Sequence, residues 1–305
     1  MRGSLLRRGA AGWVALSVMV LTVAARASAE EPLVVYTVNY PLAYFAERIG
    51  GSEVQVVLPA PRDIDPAFYH PDAATVQRYQ QADLVLRNGA GYARWVERVS
   101  LPRRRTVDTS RSFRDRFIGI EGAAAHSHSG SGQHSHTGTA FVTWLDLGQA
   151  RAQARAVADA FVRARPASRD SFESGFAQLA ADLDSLAAGL REAFAPLVGQ
   201  PLLASHPIYQ YLARAFGLDL ESLAWEPDRL PDTSAWQDLS RLRESHPARL
   251  MLWEAAPLAE TRERLLALGI DVVVFDPCAN RPATGDFLSA MRANLEAVRA
   301  AVRER

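Results

Sequence analysis

Several apolar runs in the second half of the chain end on side chains that can bind a metal. His206 follows PLLAS, Glu254 follows LMLW, and Asp276 follows VVVF; Glu226 comes shortly after the run Leu218–Ala224. In the first half, the loop PAPRDIDPAFYHPD carries Asp63, Asp65 and His70. An imidazole with several carboxylates is the donor set of a borderline divalent cation, and zinc takes nitrogen and oxygen ligands in a roughly tetrahedral arrangement. Each residue also has a plainer reading. His206-Pro207 and Asp276-Pro277 can begin a helix or a turn, and a lone glutamate usually serves as an ion-pair partner. Their common position at strand ends makes them metal candidates, because open parallel sheets bind ligands at the carboxyl ends of their strands. The expected ligands are His70, His206, Asp276 and Glu254, with Glu226 as an alternative to Glu254. Cys278 lies two residues past Asp276 and reads as a partly buried thiol.

A second metal-binding pattern lies between the halves. Residues 122–138 read GAAAHSHSGSGQHSHTG, so His126, His128, His134 and His136 supply four of the chain's seven histidines. Glycine, serine and histidine cannot bury enough surface to form a core, so this stretch is expected to be a loop. Its two His-Ser-His pairs would capture metal loosely and exchange it fast.

The elements that must position these residues alternate between strand and helix. Apolar strands are expected at Leu33–Val38, Val54–Leu58, Asp83–Leu86 and Arg105–Val107, with helices at Leu42–Ile49, Ala73–Gln81 and Tyr92–Val99. The alternation resumes with strands at Pro201–Ser205, Leu218–Ala224, Arg249–Trp253 and Ile270–Phe275. Helices there are expected at Pro207–Phe216, Thr233–Ser245 (capped by Thr233), Leu258–Leu268 and Asp286–Arg303. This order implies parallel βαβ units. Between them, Leu147–Arg163 reads as a helix broken at Arg165-Pro166, and a longer one follows over Arg169–Leu197. Phe172, Phe176, Leu179, Leu183, Leu186, Leu190 and Phe194 recur at steps of four and three and form one stripe of that helix. Ser168 is expected to cap it and Pro196 to end it. The expected fold is therefore α/β, with two lobes, each a parallel sheet flanked by helices, joined by a long rigid α-helix. The boundaries run 30–145 for the first lobe, 146–197 for the connecting helices and 198–305 for the second lobe.

Residues 1–29 have arginines at the start, an apolar run from Trp13 to Ala25, and Ala27-Ser28-Ala29 before Glu30. This is the pattern of a cleaved signal peptide. Those residues hold four arginines and no acid, so residues 30–305 carry 30 basic against 34 acidic side chains, a formal −4. That balance is no footprint for nucleic acid. With Cys278 the only cysteine, an exported fold must stand without disulfides.

The chain resembles the periplasmic zinc- and manganese-binding proteins of ABC importers, the cluster A-I solute-binding proteins. The resemblance is carried by DIDPAFYHPDAATVQRYQQADLVLRNGAG, the His-rich loop, TWLDLGQA, SHPIYQYLARAFGL, and WEAAP followed by FDPCAN. It implies two α/β lobes on a rigid helix, with the metal held between them. By matching motifs it makes His206 and Asp276 ligands. The family's other two histidines fall at Ala67 and Val142 in this sequence, and His70 lies close enough to Ala67 to substitute. The implied function is periplasmic capture of a divalent ion, Zn2+ with Mn2+ or another metal possible. Delivery would be to the permease of an ABC importer, and the protein would act as a monomer and not as an enzyme. A periplasmic chaperone or buffer serving a soluble client is the alternative. A zinc-dependent hydrolase is a further one, without an HExxH or a nucleophile elbow to support it.

Overall fold

A computed structural model describes residues 31–120 and 138–303. The expected signal peptide, the four histidines at 126, 128, 134 and 136, and the end of the chain lie outside the described residues. The first half contains β1 (Leu33–Thr37), α1 (Tyr40–Gly50), β2 (Val54–Val57), α2 (Ala73–Gln81), β3 (Leu84–Arg87) and β4 (Thr106–Asp108). The two-residue strands β5 (Gly119–Ile120) and β6 (Gly138–Thr139) pair antiparallel. Next come the helices α3 (Leu147–Ala164) and α4 (Arg169–Phe194). The second half contains β7 (Pro201–Ala204), α5 (Gln210–Phe216), β8 (Asp219–Ser222), α6 (Thr233–Ser245), β9 (Leu250–Trp253), α7 (Ala259–Ala267), β10 (Asp271–Val274) and α8 (Phe287–Arg303).

Both four-stranded sheets are parallel throughout and follow the same winding. The first is ordered β2-β1-β3-β4 and the second β8-β7-β9-β10. In each, the first strand has the second on one side and the third and fourth on the other. The strand order therefore reverses between β1 and β3, and again between β7 and β9. Such a reversal leaves a crevice at the carboxyl ends, where α/β folds place ligands.

In the first sheet a buried polar network fills that position. Asn39 Nδ2 donates to Asn88 Oδ1 at 3.2 Å, and Gln153 Nε2 donates to the same oxygen at 3.1 Å. Asn88 Nδ2 donates to the Phe141 carbonyl at 2.9 Å, which fixes the segment carrying Val142 against the sheet.

The long helix touches both halves. α4 packs against α3 and α1 on one side and against α8 and α5 on the other. Phe172, Leu179, Leu183, Leu186, Leu190 and Phe194 are buried, as the stripe predicts, whereas Phe176 is half-buried under the guanidinium of Arg155, 4.3 Å from its ring centre. α1 comes so close at Gly175 that a Cβ there would lie 2.6 Å from the Ile49 carbonyl oxygen. Asp182, on the same helix, reaches Arg48 of α1 at 2.7 Å and Arg292 of α8 at 3.9 Å. One apolar core runs through both halves around α4, and a smaller cluster built on Trp225, Trp236 and Trp253 covers the other face of the second sheet.

Three local expectations fail for identifiable reasons. Tyr92–Val99 is not an α-helix; only the 3-10 turn Arg94–Glu97 forms. Gly89, Ala90, Gly91 and Ala93 all have positive φ, which no right-handed helix tolerates. Ser168 does not cap α4, because its hydroxyl donates to Glu53 Oε2 at 3.1 Å. Asp232, not Thr233, caps α6, its carboxylate accepting the Ala235 N–H at 2.8 Å.

Candidate metal site

The reversal in the second sheet is where three candidate ligands meet. His206 follows β7, Glu254 follows β9 and Glu226 follows β8, so three adjacent strands deliver an imidazole flanked by two carboxylates. One ligand atom from each residue can be chosen so that all three lie within 4.8 Å of one another. His206 Nδ1 is 3.9 Å from Glu226 Oε1, with side-chain exposures of 2% and 11%. That separation is too long for a hydrogen bond. Tetrahedral zinc, at ~2.0 Å from each ligand, sets its ligand atoms about 3.4 Å apart. A small inward movement would therefore close the three onto one ion. Two carboxylates this close repel each other, and a divalent cation between them removes that repulsion.

The backbone fixes His206 and the start of the Glu226 loop. Ser205 N–H donates to the Leu252 carbonyl at 2.8 Å, extending the β7–β9 ladder to the residue before His206. Trp225 N–H donates to the Ser205 carbonyl at 2.7 Å and brings the start of the Glu226 loop alongside.

His206 and Glu254 open into a cavity of about 30 Å3. Its opposite wall comes from the first half: Asp65, Phe68, Tyr92, Phe141, Val142 and Trp144. The rings of Tyr92, Phe141 and Trp144 meet edge to face, with centroids 5.5 and 5.6 Å apart, and form an apolar roof. Trp144 Nε1 donates to the Pro277 carbonyl at 2.7 Å, which ties that roof to the second half. Low polarity around a charged centre strengthens its electrostatic interactions.

The remaining expected ligands are placed differently. His70 is exposed and belongs neither to the three-residue group nor to the cavity wall. The turn that follows Asp65, closed by Phe68 N–H to the Asp65 carbonyl at 3.0 Å, precedes its emergence into solvent. Asp276 ends β10, beyond Glu254, outside the three-residue group and half-buried. Its Oδ1 accepts the Cys278 N–H at 2.7 Å, and burial pushes its carboxyl pKa above the usual range despite that bond. Burial first, and then the charges of Glu254 and Asp276, push the Tyr209 phenol pKa up, and its hydroxyl donates to the Phe275 carbonyl at 2.8 Å. Cys278 is buried, as expected, and burial pushes its thiol pKa far up, which disfavours the thiolate a metal needs. His246, the remaining described histidine, contacts the Leu202 carbonyl at 2.8 Å through Nε2 and serves the fold.

Sequence reasoning missed the aromatic roof and the place of Asp65 in the wall. TWLDLGQA contained Trp144, but nothing in its spacing says that an indole turns toward the opposite half.

Several known proteins are similar to this chain in sequence or in fold. A putative metal-binding protein of Treponema pallidum is 24% identical over 246 residues, covering 79% of this chain and 77% of that protein. The zinc-binding lipoprotein AdcA of Streptococcus pneumoniae is 22% identical over 283 residues. This chain is covered to 89% in that match but spans only 56% of AdcA. Among solved structures, the metal-dependent lipoprotein YcdH of Bacillus subtilis superposes with a TM-score of 0.74 at 19% identity, covering 88% of this chain and 98% of YcdH. Zn(II)-bound AdcA gives 0.73 at 20% identity, covering 88% of this chain and 57% of that one. At these identities the structural likeness establishes the two-lobed fold. The family described as "ZnuA: Zinc-uptake complex component A periplasmic" matches residues 35–301, nearly the whole described chain, and this protein belongs to that family of metal-binding solute-binding proteins.

Proposed function

We propose that this protein captures a zinc ion in the periplasm and passes it to the permease of an ABC importer. The observation that carries the reading is the convergence of His206, Glu226 and Glu254 at the strand reversal of a zinc-uptake fold. Capture needs coordination only, and neither the chaperone nor the hydrolase alternative has a feature of the site in its favour. Asp276 is the next carboxylate along the sheet edge and would join the ion if its bond to the Cys278 N–H opened. His70 would need its loop to turn inward. The histidines at 126, 128, 134 and 136 form an auxiliary site that collects metal weakly ahead of the cleft. The lobes 30–145 and 198–305, joined through 146–197, would act as a monomer held by α4.

Calorimetric zinc titration of residues 30–305 tests this. One tight site is expected, with weaker ones beside it. His206→Ala should abolish the tight site, and deletion of 124–137 should remove only the weak ones. A deletion that removes all binding would overturn the assignment of the cleft.

A further inference from the structure

The cavity wall contributed by the first half carries a single charged group. At the positions of the family's two first-half histidines stand the methyl of Ala67 and the isopropyl of Val142, both buried. Trp144 Nε1 is engaged with the Pro277 carbonyl. Asp65 is what remains, and its loop is held from both directions. Asn280 Nδ2 of the second half donates to the Pro61 carbonyl at 2.6 Å and to the Ile64 carbonyl at 2.8 Å. Ala67 N–H donates to Asp65 Oδ1 at 2.8 Å, an Asx turn that fixes the side chain. Tyr92 lines the same cavity wall beside Asp65.

We propose that Asp65 is the first-half ligand of the captured cation, completing with His206, Glu226 and Glu254 a set of one imidazole and three carboxylates. The inference rests on the metal-capture reading above and names the donors of that site and its ion class. Asp65 is exposed and stands outside the three-residue group, but it shares the cavity wall with His206 and Glu254, and an ion held there would draw it in. A cavity of about 30 Å3 admits a stripped ion or a water, not a chelate. Carboxylate oxygens suit manganese as well as zinc, whereas imidazole favours zinc. The cargo is therefore a bare divalent ion, and this site separates zinc from manganese less sharply than one rich in histidine.

Titration of the full mature chain with Zn2+ and with Mn2+, on wild type, Asp65→Asn and Asp63→Asn, decides the matter. Asparagine keeps an oxygen for the Ala67 N–H and removes the charge. The expected result is measurable Mn2+ binding by wild type, at least a tenfold loss for both ions in Asp65→Asn, and no change in Asp63→Asn. Circular dichroism should be unchanged in both variants. Wild-type affinity in Asp65→Asn would overturn the role of Asp65 while leaving metal capture standing. A wild-type protein that binds neither ion tightly would overturn both. Zinc binding with no detectable Mn2+ binding would overturn the ion class.

Discussion

At the scale of single residues, the site is defined by what flanks His206. The imidazole is almost wholly buried between two carboxylates delivered by neighbouring strands. Glu226→Gln keeps the shape and removes one charge; zinc affinity should fall about 10- to 100-fold by titration, the range seen when a carboxylate supporting a metal site is lost. Ligands must be deprotonated to bind, so protons compete with the ion and affinity should rise with pH through the histidine range. A titration repeated at three pH values checks the sign. His206 and Glu254 were legible because a strand that ends on a donor points it into the crevice. His70 is exposed, and its nearness to Ala67 in sequence does not bring it to the cavity wall, because the turn Asp65–Phe68 comes between that wall and His70. Glu226 was harder to rank, since it sits four residues past its strand, and the Leu223–Ala204 and Trp225–Ser205 backbone bonds bring its loop alongside His206.

At the scale of elements, α4 is the joint between the sheets. Its apolar stripe was readable from spacing alone, and its length nearly so. Its start was not, because Ser168 had a better partner in Glu53, far away in sequence. Gly175 marks the place where α1 crosses closest, so Gly175→Ala should cost about 1–3 kcal/mol through overpacking against the Ile49 carbonyl. Thermal unfolding would show the loss, with zinc stoichiometry unchanged. Asp182 links both halves through two arginines, yet about a third of its side chain is exposed. Asp182→Asn should cost no more than about 1 kcal/mol in denaturant unfolding, the usual yield of a solvent-screened ion pair. Apolar packing, not this ion pair, holds the halves together.

At the scale of the molecule, two copies of one winding order face each other across a shared core. The second copy brings the candidate ligands His206, Glu226 and Glu254 to its strand reversal; the first fills its own with Asn39, Asn88 and Gln153. This asymmetry is invisible in the sequence, where both halves show the same alternation, because it depends on which polar side chains find each other across elements. An ion held at the cleft binds only the folded chain. Zinc at 100 times its dissociation constant should therefore add about 2.7 kcal/mol and raise the unfolding temperature by roughly 5–10 °C. The most direct test of the central claim is X-ray absorption at the zinc K edge on protein loaded with one equivalent. The account predicts oxygen and nitrogen scatterers near 2.0 Å with a single imidazole contribution and no sulfur. Two or more imidazoles would bring in His70 or the histidine-rich segment, and a sulfur shell would place the ion on Cys278; either result would contradict the account.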